Sequence, residues 1–126
     1  MRVVDTSAWI EWLVDSDLGR EVGRDMPERG AWIVPTVVQY ELSRWLTREI
    51  SEEAAGSVIA FSNECVIVPL ETELALKAVD LGKEHSLAMA DAIIYATALD
   101  AGADLLTCDA HFANLPGVVY FPKTPA

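Results

Sequence analysis

Four carboxylates stand where charged side chains do not ordinarily stand. Asp5 closes the apolar run Val3-Val4, and Asp109 follows Leu105-Leu106-Thr107 by two residues. Glu41 lies on the helical stretch Val37 to Thr47. At about 100° per residue it falls in one arc with Val37, Val38, Leu42 and Trp45, while Gln39, Ser43 and Thr47 make the polar face. Asp91 has Leu87, Ala88, Ile94 and Tyr95 three and four residues away, in a stretch that is apolar almost all round. A buried carboxylate must be paired, protonated or bound to a cation, because left alone it is costly. Each acid has a simpler use: Asp5 as a helix cap, Glu41 as a partner of Arg44 or Arg48, Asp91 as the acidic end of a helix dipole, Asp109 as a turn initiator. Four at once call for a common cause. Two like charges ~4 Å apart repel by about 4 kcal/mol even at an effective dielectric of 20, and a hard divalent cation relieves that repulsion. Oxygen ligands without Cys or paired His favour Mg²⁺ or Mn²⁺ over Zn²⁺. The chemistry such a site does best is phosphodiester hydrolysis.

The elements that must position these acids alternate between short β-branched runs and longer helical patterns. Strands are expected at Arg2 to Asp5, Trp32 to Val34, Cys65 to Val68, Asp104 to Thr107 and Val118 to Tyr120. Helices are expected at Ala8 to Leu13 behind a Thr6-Ser7 cap, and at Leu18 to Met26, stopped by Pro27. Further helices are expected at Val37 to Thr47 behind Thr36, from a Ser51 cap to Ser62, at Glu71 to Glu84 and at Leu87 to Ala101. This alternation predicts an α/β fold with a parallel sheet covered on both faces. In such sheets ligands bind at the carboxyl ends of strands, where Asp5 and Asp109 fall. Residues 122–126 read as a loose tail on one domain spanning 1–126.

The chain has 126 residues, 9 Lys+Arg against 20 Asp+Glu, a net charge of -11 and 52% hydrophobic residues. That is enough apolar material for a core and too acidic for counterion-release binding to nucleic acid, unless something local reverses the sign. Lys77, Lys83 and Lys123 are its only lysines. No apolar run approaches the ~18 residues of a membrane span. Asp5 interrupts any secretory signal, and Cys65 and Cys108 are too few for a disulfide framework, so a cytoplasmic setting is expected.

Four stretches together carry a resemblance: Val3-Val4-Asp5-Thr6-Ser7-Ala8, Val34-Pro35-Thr36 followed by Glu41-Leu42, Leu87-Ala88-Met89-Ala90-Asp91-Ala92, and Leu105-Leu106-Thr107-Cys108-Asp109-Ala110-His111-Phe112. In this order the chain resembles the PIN domain and, more narrowly, the VapC toxins of type II toxin–antitoxin pairs. The resemblance implies a three-layer α/β/α fold with a short central parallel sheet and a Mg²⁺- or Mn²⁺-dependent endoribonuclease. Asp5, Glu41, Asp91 and Asp109 match the family's four acidic site positions, and Thr6, Ser7 and Thr107 match its neighbouring hydroxyls. It also implies a homodimer and inhibition by a VapB-type antitoxin, with tRNA or ribosomal RNA as the substrate class. Many relatives carry a basic residue on each side of the last acid, where this chain has Cys108 and Ala110.

Arg44 and Arg48 lie at the edge of the Glu41 face, where they could receive RNA phosphate or simply pair with Glu41. His111 reads as an exposed loop residue or a substitute for a missing base, and His85 as structural. Trp9 and Trp12, with Ile10 and Leu13, read first as core packing, with one of the two rings left to face a partner. A catalytically silent PIN-like binding module is the alternative, although its usual sign would be a lost acid. A phosphate-accepting receiver domain would need a lysine after a late strand, and Lys123 in the tail serves poorly.

Overall fold

In the computed structural model, which describes residues 1–123, five parallel strands form one sheet. They are β1 (Arg2–Val4), β2 (Trp32–Pro35), β3 (Val66–Val68), β4 (Asp104–Thr107) and β5 (Val118–Tyr120), in the order β3-β2-β1-β4-β5. Helices α1 (Thr6–Leu13), α2 (Asp17–Gly23), α3 (Thr36–Glu49), α4 (Glu52–Ser62), α5 (Thr72–His85) and α6 (Met89–Asp100) flank it, giving the expected α/β/α arrangement. Val3, Val4, Val34, Leu105 and Leu106 are fully buried, as parallel strands covered on both faces must be. From β1 the chain builds outward to β2 and β3, then returns to lay β4 on the other flank of β1. The β1–β4 junction is therefore the point where strand order reverses, and a crevice opens outside the strand ends there. Residues 124–126 of the expected tail lie outside the described residues, while Pro122 and Lys123 are exposed.

Several local expectations change. Thr6 and Ser7 do not cap α1. Asp5 occupies the cap position, and its carbonyl accepts the Ala8 and Trp9 N–H groups while its carboxylate makes no capping bond. The strand passes directly into the helix, which leaves the two hydroxyls free for other partners. Likewise Pro35 holds the cap position of α3, and Thr36 Oγ1 accepts the Leu70 N–H at 3.3 Å instead. Ser51 does cap α4, accepting the Ala54 N–H at 3.0 Å. Leu87 closes the turn that follows α5 and does not begin α6: Ser86 turns left-handed at φ 57°, and the Leu87 N–H closes onto the Gly82 carbonyl.

The aromatic residues of α1 do not divide between core and surface. Trp9 and Trp12 are three apart, so they share a helix face. With Trp32 and Phe61 they form one cluster, its ring centroids 4.5 to 6.1 Å apart. Beside it α2 presses against α1 at Gly19, where a Cβ would sit 1.9 Å from the Glu11 carbonyl oxygen. Helix α6 is buried from Ala92 to Ala98, in keeping with its unbroken apolar character.

Candidate metal centre

The register Val4↔Leu106 fixes the first part of the site. The Asp5 N–H donates to the Leu106 carbonyl at 2.8 Å, which sets Asp5 against Thr107. Oδ2 of Asp5 accepts from Ser7 Oγ at 2.6 Å and from Thr107 Oγ1 at 2.8 Å. Each hydroxyl in turn accepts a backbone N–H at 2.9 Å, Ser7 from Cys108 and Thr107 from Asp109. Both hydroxyl protons are thus committed to Asp5, and the backbone of the β4 exit loop orients it through two relays.

The remaining acids arrive from three other segments. Glu41, in the second turn of α3, accepts from Thr6 Oγ1 at 2.6 Å. Asp91 enters from the first turn of α6. Asp109 caps a single 3₁₀ turn, Ala110–Phe112, by accepting the His111 N–H at 2.9 Å. That turn swings the His111 ring back, so its Nδ1 lies 2.9 Å from Asp109 Oδ1 and 3.6 Å from Asp91 Oδ2. One ligand atom from each of Asp91, Asp109 and His111 falls within 4.8 Å of the others.

The electrostatics show that the four carboxylates feel one another. Burial raises the Asp5 pKa above the ordinary carboxylate range, opposed by the Ser7 and Thr107 hydrogen bonds and reinforced by the charges of Asp109 and Glu41. Asp91 is pushed up to about 6, first by burial, then by Asp109 and Asp5, with His111 pulling the other way and Glu41 adding to the rise. Among the described residues no Lys or Arg forms an ion pair with any of the four, and the one basic group within 4 Å is His111, beside Asp91 and Asp109. A set of carboxylate oxygens with one imidazole, none of the acids ion-paired to a lysine or arginine, fits a hard or borderline divalent cation such as Mg²⁺ or Mn²⁺.

The structure places Asp5, Thr6, Ser7, Glu41, Asp91, Thr107 and Asp109 together at the carboxyl ends of β1 and β4. Arg44 and Arg48 stand beside it, lining a groove of about 320 Å³ with Thr6, Tyr40 and Glu41. No Glu41–Arg44 pair forms; Arg48 binds its neighbour Glu49 at 3.0 Å. His111, read only as a loop residue or a replacement base, is brought into the acid cluster. Its signal was the two-residue spacing from Asp109, which fits a single capped turn. Cys108 is buried, with its thiol pKa pushed up to about 12 mainly by that burial, so position 108 faces the core and not the crevice. His85 packs edge-on against Tyr95 with ring centroids 5.6 Å apart, a structural role.

This fold and site have known counterparts. The PIN domain family model matches residues 2–118, and the chain belongs to that family. No curated protein sequence matches it. Among solved structures, it is similar to a chain of a toxin–antitoxin complex from Klebsiella pneumoniae, with a TM-score of 0.80 and 22% identity, covering 94% of this chain and 96% of that one. It is similar to the sarcin–ricin loop cleaving toxin VapC20 from Mycobacterium tuberculosis, with a TM-score of 0.73 and 19% identity over 90% and 93% of the two chains. A chain of DNA-bound VapBC from Salmonella typhimurium gives a TM-score of 0.70 at 15% identity, covering 96% of each. At these identities the likeness is one of fold.

Proposed function

We propose that this chain is a metal-dependent endoribonuclease, the toxin of a type II toxin–antitoxin pair. The observation that carries the reading is the convergence of Asp5, Glu41, Asp91 and Asp109 at the β1–β4 switch point without a lysine or arginine partner. Membership of the PIN family supports it, as does the likeness in fold to toxin–antitoxin structures.

Asp5 and Asp91 hold Mg²⁺ or Mn²⁺, while Glu41 and Asp109 complete the site or orient the attacking water. A bound divalent cation supplies charge neutralisation at the scissile phosphate and a water of lowered pKa. Ser7 and Thr107 keep Asp5 in a single rotamer, and Thr6 does the same for Glu41. His111, with Nδ1 2.9 Å from Asp109 Oδ1, adds an imidazole nitrogen to the possible ligand set. Hydrolysis leaves a 5′-phosphate and a 3′-hydroxyl, and Arg44 and Arg48 receive flanking phosphates, the local positive charge that an acidic protein otherwise lacks. A VapB-type antitoxin restrains the enzyme by presenting an arginine to the acids. The chain works as a homodimer in the cytoplasm. Leu76, Val79 and Met89, all more than half exposed around the α5–α6 edge, supply an apolar face for self-association. No helix among the described residues is long and apolar enough to cross a membrane.

The test is incubation of purified protein with total cellular RNA in Mg²⁺, Mn²⁺ or chelator, with Asp91→Asn in parallel. Discrete metal-dependent fragments, lost in the variant, are expected. Fragments that persist in chelator or in Asp91→Asn would overturn the reading.

A further inference from the structure

Of the four Trp, three Tyr and three Phe in the chain, only Tyr40 stands exposed. The others are buried or half-buried, whereas Tyr40 is 62% exposed. Its position sharpens the contrast. It precedes Glu41 on α3 and lines the groove that runs past Thr6 and Glu41 at the acid cluster. Arg44 and Arg48 follow it at successive steps of four residues, about 6 Å each along the helix. A second depression on the far side of the same row, lined by Ser43 and Thr47, also has Tyr40, Arg44 and Arg48 in its wall. The row is therefore a ridge with open surface on both flanks.

Both of its arginines are exposed. Arg2, Arg20 and Arg29 are paired with acids from other turns or elements. Arg44, like Arg24 and Lys83, takes part in no ion pair among the described residues, and Arg48 meets only its exposed neighbour Glu49; what sets Arg44 and Arg48 apart is that they line one groove with an exposed aromatic ring. On a chain of net charge -11, an unpaired arginine beside an exposed aromatic ring is where a phosphate-bearing strand would meet attraction instead of repulsion. An aromatic face with adjacent guanidinium groups recognises unpaired nucleotides: the ring stacks on a base and the cations hold the flanking phosphates. A paired base inside a duplex offers no face to such a ring.

We infer that Tyr40, Arg44 and Arg48 form a platform for single-stranded RNA, with one unpaired base stacked on Tyr40 next to the phosphate delivered to the acid cluster. This inference rests on the ribonuclease reading and adds Tyr40 to it as the residue that holds a base. Tyr40 is a binding residue that selects strand conformation, not a catalytic one.

The test measures binding apart from cleavage. Asp91→Asn protein, in Mn²⁺ at low salt, is titrated against a fluorescein-labelled 12-residue single-stranded RNA of mixed sequence, and against the same strand annealed to its complement. Binding of the single strand in preference to the duplex is expected. Adding Tyr40→Ala should weaken single-strand binding about tenfold or more, while Tyr40→Phe should restore it, because stacking needs the ring and not the hydroxyl. Equal binding with and without Tyr40→Ala, failure of Tyr40→Phe to rescue, or equal affinity for duplex would overturn the platform. So would a loss in Tyr40→Ala confined to binding of a basic antitoxin peptide. Absence of any RNA binding would also overturn it, and metal-dependent cleavage of total RNA by the parent would then leave the ribonuclease reading standing alone. Conversely, Tyr40-dependent binding by a protein that cuts nothing would sustain the platform and refute the enzyme.

Discussion

The two ends of strands β1 and β4 treat carboxylates in opposite ways. At the amino ends, Arg2 faces Asp104 across the ladder and grips it with two bonds, at 2.8 and 2.9 Å. The Asp104 carboxyl is held below the usual range, chiefly by its hydrogen bond to Arg2. At the carboxyl ends of the same strands, Asp5 and Asp109 meet Glu41 and Asp91 with no lysine or arginine, and burial drives the Asp5 and Asp91 pKa values up. One end closes its own charge balance. The other leaves it open, and the open balance is what a metal ion can complete. Two acids on the same pair of strands thus differ in role because of what stands opposite them, not because of residue type.

Experiments can break that contrast at each end. The largest effect is expected from Asp91→Asn, which should reduce RNA cleavage by about 100-fold or more, the scale seen when a key charged-site donor is removed. A parent-like rate in a gel assay would place Asp91 outside the chemistry. Next comes Thr107→Val, which deletes a hydrogen bond to Asp5 and leaves the Asp109 N–H without its acceptor. Calorimetric titration should show Mn²⁺ affinity falling about 10- to 100-fold, as for other supports of a metal ligand. Unchanged affinity would mean that Asp5 needs no such hold.

Stability should reveal the same asymmetry with opposite signs. Asp91 binds its proton more tightly folded than unfolded, so metal-free protein should lose stability as pH rises from about 4 through about 6 and level off above. In chelator at pH 7, Asp91→Asn should therefore melt higher than the parent, by on the order of 2 kcal/mol after allowing for solvent screening. Saturating Mg²⁺ should reverse that order, because the parent gains binding energy that the variant lacks. A lower melting point for the variant in chelator would show that the acids do not burden one another. The smallest effect belongs to the balanced end. Asp104 has a depressed folded pKa, so its contribution is present above the unfolded value and lost as pH falls through the folded one. Asp104→Asn should cost about 0.5–1 kcal/mol in chemical denaturation, since the pair is partly exposed, and should leave cleavage untouched. Loss of cleavage would tie the two ends together.

Much of this molecule was legible in the order of its residues. Period and punctuation marked the five strands and six α-helices to within a few positions, and alternation of the two called for a parallel sheet. The four acids announced themselves by lying on apolar faces or at strand ends, where an isolated charge is expensive. The errors fell where hydrogen bonds reach beyond their own segment. Thr6 and Ser7 looked like caps because a hydroxyl before a helix ordinarily serves its own backbone, yet they turn to Glu41 and Asp5. Core packing of Trp9 and Trp12 holds, but leaving one of them to a partner overlooks that a spacing of three puts both rings on one face.

What the chain alone determined is therefore the inventory: parallel strands, apolar helices, and four acids with no lysine near them in the sequence. Tertiary structure decided which of these residues share a space. The Val4↔Leu106 register carries Asp5 to Thr107 across a hundred residues, and the capped turn after Asp109 folds His111 onto the acids. It also leaves Tyr40 as the single exposed aromatic beside them. Periodicity encodes which face a residue occupies on its own element. The pairing of distant faces depends on strand register and packing, which exist only once the sheet has formed.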